Sequence, residues 1–205
     1  MSHVDDAQGT IAVVPAVTTT RVKGSALGPS LRFIRETFGD IGLERVLHGL
    51  SPEDQNVLKQ DMLASSWYPF ALMVRFMRES ERCFGSASKH LLRDMGRAAA
   101  DYNMTTIYRI FFRLGSPQFT LARAARVFGN FYDTGDFEAI VNEKGHAICE
   151  LRAFGEPAPE FCERLIGWMS HLITLTGGTD LRSSHPRCVN RGDASCHYEG
   201  HWTQR

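Results

Sequence analysis

The 205-residue sequence predicts an α+β fold, with N-terminal helices packed on a C-terminal antiparallel sheet. Three observations predict it. Apolar residues recur at helical spacing from residue 28 to about residue 132. The period then falls to two over 137–154, the spacing of half-buried strands. A single apolar-striped helix, 160–176, separates this pair of strands from a second pair, giving helices followed by β-β-α-β-β.

Residues 1–20 are small, polar and β-branched and read as a disordered tail, ending in a short strand over Thr18 to Val22. Residues 21–205 read as one domain, with a helical part over 28–132 and a ββαββ part over 135–202. Gly28-Pro29 starts the first helix, whose stripe is Leu31, Ile34 and Phe38. Asp40 caps a second, and Ser51-Pro52-Glu53-Asp54 is the start signal of a third. Pro69 starts a fourth, carrying Phe70, Met73, Val74 and Met77. The longest helix runs from about Ser88 to Leu114 and stops at Gly115; Ser116-Pro117 begins the next. Strands at Phe137–Asn142 and Gly145–Phe154 flank the turn Asn142-Glu143-Lys144-Gly145. Gly177-Gly178 stops the late helix, and two strands follow at about Asp180–Ser184 and Ala194–Trp202.

Charge excludes some partners. The chain carries 23 basic and 23 acidic residues, so no basic excess suits nucleic acid. Its longest apolar run, near Trp67 to Val74, is far short of the ~20 residues a membrane span needs. Asp5 and Asp6 stand where a signal peptide would be cationic, so the expectation is a cytoplasmic protein. In that compartment its five cysteines are core residues, metal ligands or redox thiols, not structural disulfides.

The densest chemistry is C-terminal: His185-Pro186-Arg187-Cys188, then Cys196-His197-Tyr198 after a loop containing Gly192-Asp193. Thiolate with imidazole is a preferred mixture for zinc, which takes about four such ligands. The two-residue gap lets His185 and Cys188 face one centre, and the loop can return Cys196 beside them. His197 follows Cys196 along a strand and points to the other face. A fourth ligand must come from elsewhere. Cys162, at the start of the late helix, is a candidate, but it also lies on that helix's apolar stripe, where a free cysteine packs as core.

The pattern Cys162…Gly177-Gly178…His185-x-x-Cys188…Arg191-Gly192-Asp193-x-x-Cys196-x-Tyr198 resembles the 4-vinyl-reductase (V4R) domain family. That family includes sensor domains of aromatic-responsive transcription activators. The full length is also similar to a group of bacterial paralogues expanded in myxobacteria. The resemblance implies a zinc site of Cys162, His185, Cys188 and Cys196, with His185 standing where the family has Glu. It implies a wider fold group that includes haem-nitric-oxide/oxygen binding domains and small subunits of vesicle-tethering complexes. It also implies an apolar or aromatic guest held between helices and sheet. The aromatic-rich segment 102–132 and the late helix would line that site through Tyr102, Tyr108, Phe111, Phe112, Phe128, Tyr132 and Trp168, with His146 as a polar group. An aromatic stripe at helical spacing is equally the signature of plain core.

Haem would need an axial histidine facing an apolar cavity. The helical half offers only His48 and His90, and the Tyr-x-Ser-x-Arg signature of haem relatives is absent. No nucleophile elbow, phosphate loop or dinucleotide fingerprint is present. The sequence therefore points to a non-enzymatic small-molecule sensory or adaptor domain with a structural zinc, signalling through a partner or a homodimer. The alternative is a protein-interaction module of the tethering kind with no ligand.

Overall fold

The structure, a computed structural model, describes residues 19–105 and 115–204. The N-terminal part opens with strand β1 (Arg21–Lys23), which pairs antiparallel with β2 (Trp67–Pro69). Between them lie α1 (Gly24–His48) and α2 (Pro52–Leu58). Helix α1 begins four residues earlier than Gly28. The N–H groups of Gly24 and Ser25 are satisfied by the carbonyls of Ser66 and Ala64 at 2.9 and 3.0 Å, so the first turn forms ahead of Pro29. Gly39, at φ +75°, breaks α1 just before Asp40, so the two helices read from the sequence meet there end to end. In α2 the Ser51 hydroxyl accepts from Asp54 N at 3.2 Å, with Pro52 at the first helical position.

Helices α3 (Phe70–Phe84) and α4 (Leu91–Thr105) follow, then α5 (Pro117–Val127), capped by Ser116. Strands β3 (Asp136–Glu143) and β4 (His146–Arg152) turn at Gly145, whose φ of +84° suits glycine. Helix α6 (Pro159–Leu175) leads to β5 (Gly178–Arg187) and β6 (Cys196–Gln204). The four strands form one antiparallel sheet in the order β3-β4-β6-β5. The α+β class and the ββαββ order agree with the sequence reading. The strand β2 was not read there, because Trp67-Tyr68-Pro69 is too short to show a period.

Helix α6 is sandwiched between the sheet and α4. It meets α4 closely because a side chain at Gly96 would strike the Arg164 carbonyl at 2.0 Å, and one at Gly167 the Arg93 carbonyl at 2.0 Å. Behind this crossing Phe70, Tyr132, Phe154 and Phe161 pack edge-to-face and stacked, with centroids 5.0 to 6.1 Å apart. Ala147, Cys149 and Leu151 turn inward from β4, while His146, Ile148 and Glu150 take its other face. Among the described residues no helix is long and apolar enough to cross a membrane.

Candidate metal centre and interior cavity

Two places gather polar groups away from water. The first is the turn between β5 and β6. Cys188 N donates to the Asp193 carboxylate at 2.7 Å, and the N–H groups of Arg191 and Asp193 return to the Cys188 carbonyl at 2.8 and 3.2 Å. Gly192, at φ +94°, lets the chain reverse. This curl brings Cys196 back beside Cys188, and the first turn of α6 delivers Cys162 from below. The donor atoms of Cys162, His185, Cys188 and Cys196 all lie within 4.8 Å of one another.

The geometry is that of a tetrahedral donor set. Cys188 Sγ is 3.9 Å from both Cys162 Sγ and Cys196 Sγ. Sulfur–metal bonds of about 2.3 Å in a tetrahedron place sulfurs about 3.8 Å apart. All five cysteines of the chain are free. The His185 ring stacks on Tyr198 at 4.6 Å, and its buried Nε2 has no hydrogen-bond partner among the described residues. Donors converge on the sulfurs: Val189 N on Cys196 at 3.4 Å, Asn190 Nδ2 on Cys188 at 3.6 Å, and the Tyr198 hydroxyl on Cys162 at 3.5 Å. The hydrogen bond between the Cys162 and Cys196 thiols lowers the pKa of Cys196 and raises that of Cys162, and burial raises Cys162 further. A thiolate is thus favoured at Cys196. His197 points away, as alternation along β6 requires, and contacts Glu150 at 3.2 Å.

The second place is a cavity of about 20 Å³ among α1, α4, α5 and α6. Phe128, Tyr132 and Trp168 line it, together with Asn103 and Arg164. A cavity of similar size lies between α6 and the sheet, beside Ile166, Met169, Cys149 and Tyr198. Other sequence candidates fall elsewhere. Tyr102, one residue from Asn103 and so about 100° around the helix, lines outer clefts with Pro29 and Arg32. His146 sits on the open face of the sheet, 3.0 Å from Glu199 and stacked on His201, because its neighbour Ala147 takes the inward position. Tyr108, Phe111 and Phe112 lie outside the described residues. Arg164 was missed. Its signal was present in the sequence: it interrupts the apolar stripe Phe161, Leu165, Trp168 and Leu172.

Neither a family model nor a curated protein matches the chain. Solved structures do. An H-NOX protein from S. oneidensis in the Fe(II)NO state superposes with a TM-score of 0.69, at 8% identity, over 89% of this chain and 99% of that one. The fold is the H-NOX fold. An unliganded Fe(II) H-NOX protein from K. algicida gives 0.66 at 10% identity, covering 89% and 97%. An oxygen-binding H-NOX domain related to soluble guanylate cyclases gives 0.65 at 11%, covering 89% and 95%.

This corrects two expectations. The 4-vinyl-reductase resemblance is not upheld: no family model supports it, and the similar solved structures are H-NOX domains. The short Cys/His ending that suggested it is too little sequence to fix a family. The zinc assignment, read from the Cys/His spacing and strengthened by that resemblance, is not upheld either, since the metal named in the neighbours is Fe(II). The donor set stands on its own geometry.

Haem, which the fold group implies, does not fit the residues present. His48 and His90 are exposed, His171 is paired with Asp101 at 2.8 Å, and His146, His197 and His201 lie on the outer sheet face. His185 belongs to the thiol cluster. Of the residues outside the described ones, only His3 is a histidine, and the segment 106–114 contains none. The interior cavities, about 20 Å³ each, are far too small for a porphyrin. Phe70, Tyr132, Phe154 and Phe161 pack ring against ring in the interior.

Proposed function

We propose that this chain is a non-enzymatic sensory domain that binds a small molecule in its interior, among its helices, and passes the signal to a partner. The observation that carries the reading is the H-NOX architecture over 95–99% of the length of solved domains that bind diatomic ligands. Fold alone does not fix function, so the site must support the reading. It does so through a cavity with apolar walls at Phe128, Tyr132 and Trp168 and polar groups at Asn103 and Arg164. The guest is small, matched to about 20 Å³, and not a haem. The signal leaves through a signalling protein or a second copy of the chain, in the cytoplasm.

The cluster of Cys162, His185, Cys188 and Cys196 serves as a closed structural centre. It holds one thiophilic metal ion and pins β5 and β6 to the start of α6. Four protein ligands leave no open position for substrate. A second reading, a protein-interaction module with no ligand, is favoured by the aromatic packing around Phe161.

Native mass spectrometry of the full chain, purified anaerobically without chelator, separates these readings. The expected mass is the chain plus one metal ion plus a small molecule, with elemental analysis identifying the ion. Metal without a small molecule supports the interaction module. A bare chain overturns both the metal centre and the sensory reading.

A further inference from the structure

A second donor set, free of sulfur, lies on the outer face of the sheet. His146 of β4 and His201 of β6 are cross-strand partners, and Glu199 stands two residues before His201. Residues two apart on a strand share a face, and directly opposed side chains are close neighbours, so the strand register alone collects the three. The two imidazoles stack in parallel, with centroids 4.2 Å apart and planes 3° apart. Both Nε2 atoms meet one oxygen, Glu199 Oε1, at 3.0 and 3.1 Å. The three donor atoms all lie within 4.8 Å of one another.

Geometry, charge and chemistry separate this group from a surface ion pair. Metal–nitrogen and metal–oxygen bonds of about 2.1 Å, set at right angles, place donor atoms about 3.0 Å apart. The two N···O edges already have that length. A cation can therefore replace the hydrogen in each bridge with little movement of the chain. As for charge, Glu199 meets no arginine or lysine within 4.0 Å among the described residues. Its neighbour Glu150, by contrast, is paired with Arg152 at 3.2 Å. Arg182 faces His201 from β5, but it is exposed, and its long stem can carry its charge into water. The Ser184 hydroxyl reaches the second oxygen of Glu199 at 3.4 Å and orients the carboxylate from β5. Chemically, imidazole with carboxylate suits first-row transition ions, whereas Mg²⁺ and Ca²⁺ take oxygen donors.

We infer that His146, Glu199 and His201 form a binding site for a divalent transition-metal ion, separate from the thiol cluster. Three protein donors leave at least one coordination position open. That position is turned to water, since His201 is exposed and the other two are half-buried. The bound ion therefore carries a water molecule or accepts a donor from outside the chain, which the closed thiol cluster cannot do. The inference depends neither on the sensory reading nor on the occupancy of the thiol cluster.

An open three-donor site gives up its ion on purification more readily than a closed one, so the test supplies it. The full chain is titrated with Ni²⁺ by calorimetry, with Mg²⁺ as the control and native mass spectrometry counting the ions bound. One Ni²⁺ per chain beyond any ion already held is expected, and no Mg²⁺. His201→Ala, His146→Ala and Glu199→Gln should each weaken it by about tenfold or more. His197→Ala, which removes a histidine of the same face from outside the set, should leave it intact. Cys188→Ser, which disables the thiol cluster, should keep it as well. His201→Ala removes an exposed side chain, and an unchanged circular dichroism spectrum shows that it is folded; it decides where another variant fails to fold. No added Ni²⁺, equal binding of Mg²⁺, or full affinity retained in His201→Ala overturns the inference. Loss of the ion in Cys188→Ser alone assigns it to the thiol cluster and overturns the inference too.

Discussion

The thiol cluster and the Arg164 cavity are assembled in different ways. Each gathers polar groups away from water. In the cluster, three of the four donors come from twelve consecutive residues, 185–196, and the fourth from the first turn of the preceding helix. Three of those donors are held by a local loop and its own hydrogen bonds, Cys188 N to the Asp193 carboxylate above all, and only Cys162 depends on where a helix lies. In the cavity, Ala26, Asn103, Tyr132 and Arg164 come from four separate stretches of chain. Nothing local joins them. Their meeting depends on α4 and α6 approaching at Gly96 and Gly167. The lesson is that the two sites should fail independently, and for different reasons.

Cys188→Ser makes the sharpest break. Cys188 is the sulfur that both other thiols approach, so its loss should abolish metal binding at the cluster and cost at least about 3 kcal/mol, lowering Tm by roughly 6–12 °C. An unchanged melting temperature and full metal content would remove the structural centre from the molecule.

Gly96→Ala attacks the other region. The added methyl meets the Arg164 carbonyl and the Trp168 amide nitrogen, both backbone, so the two helices must move apart. The expected cost is about 1–3 kcal/mol. Calorimetry should register it, with metal content intact. If the metal is lost as well, the two regions are coupled and the comparison fails.

The smallest effect tests the sheet face that belongs to neither region. Hydrogen bonds from Ser195 and His197 hold the Glu150 carboxyl below its ordinary range, and His146 and His201 do the same for Glu199. Depressed carboxylates contribute stability that is complete above their unfolded value of 4.5 and is lost as pH falls through their folded values. Glu199→Gln should therefore flatten the acid limb of the stability curve below about pH 4.5 while leaving the ion of the thiol cluster in place. An acid limb identical to that of the parent chain would mean that the His146–Glu199 contact carries no stability.

The elements were legible where the chain announces them. Ser51-Pro52 and Ser116-Pro117 start helices because a hydroxyl cap and a proline suit a first turn in any context. The alternation of Ala147, Cys149 and Leu151 marked the inner face of β4. The start of α1 was misplaced because its first N–H groups find partners in the loop at 64–66, forty residues away, which no window of sequence displays. The family resemblance misled because a cysteine spacing reports a donor set and not an ancestry.

By itself, then, the sequence determined the α+β class and the order of elements along the chain, and it pointed to His185, Cys188 and Cys196 as one donor group, leaving Cys162 between ligand and core. These follow from periodicity, capping and the short reach of a loop, which are local physics. Only the tertiary structure decided which aromatic residues reach the interior, that haem has no place there, and that Arg164 is buried among neutral partners. Each of those is a statement about which distant groups meet, and that depends on how closely two helices can cross.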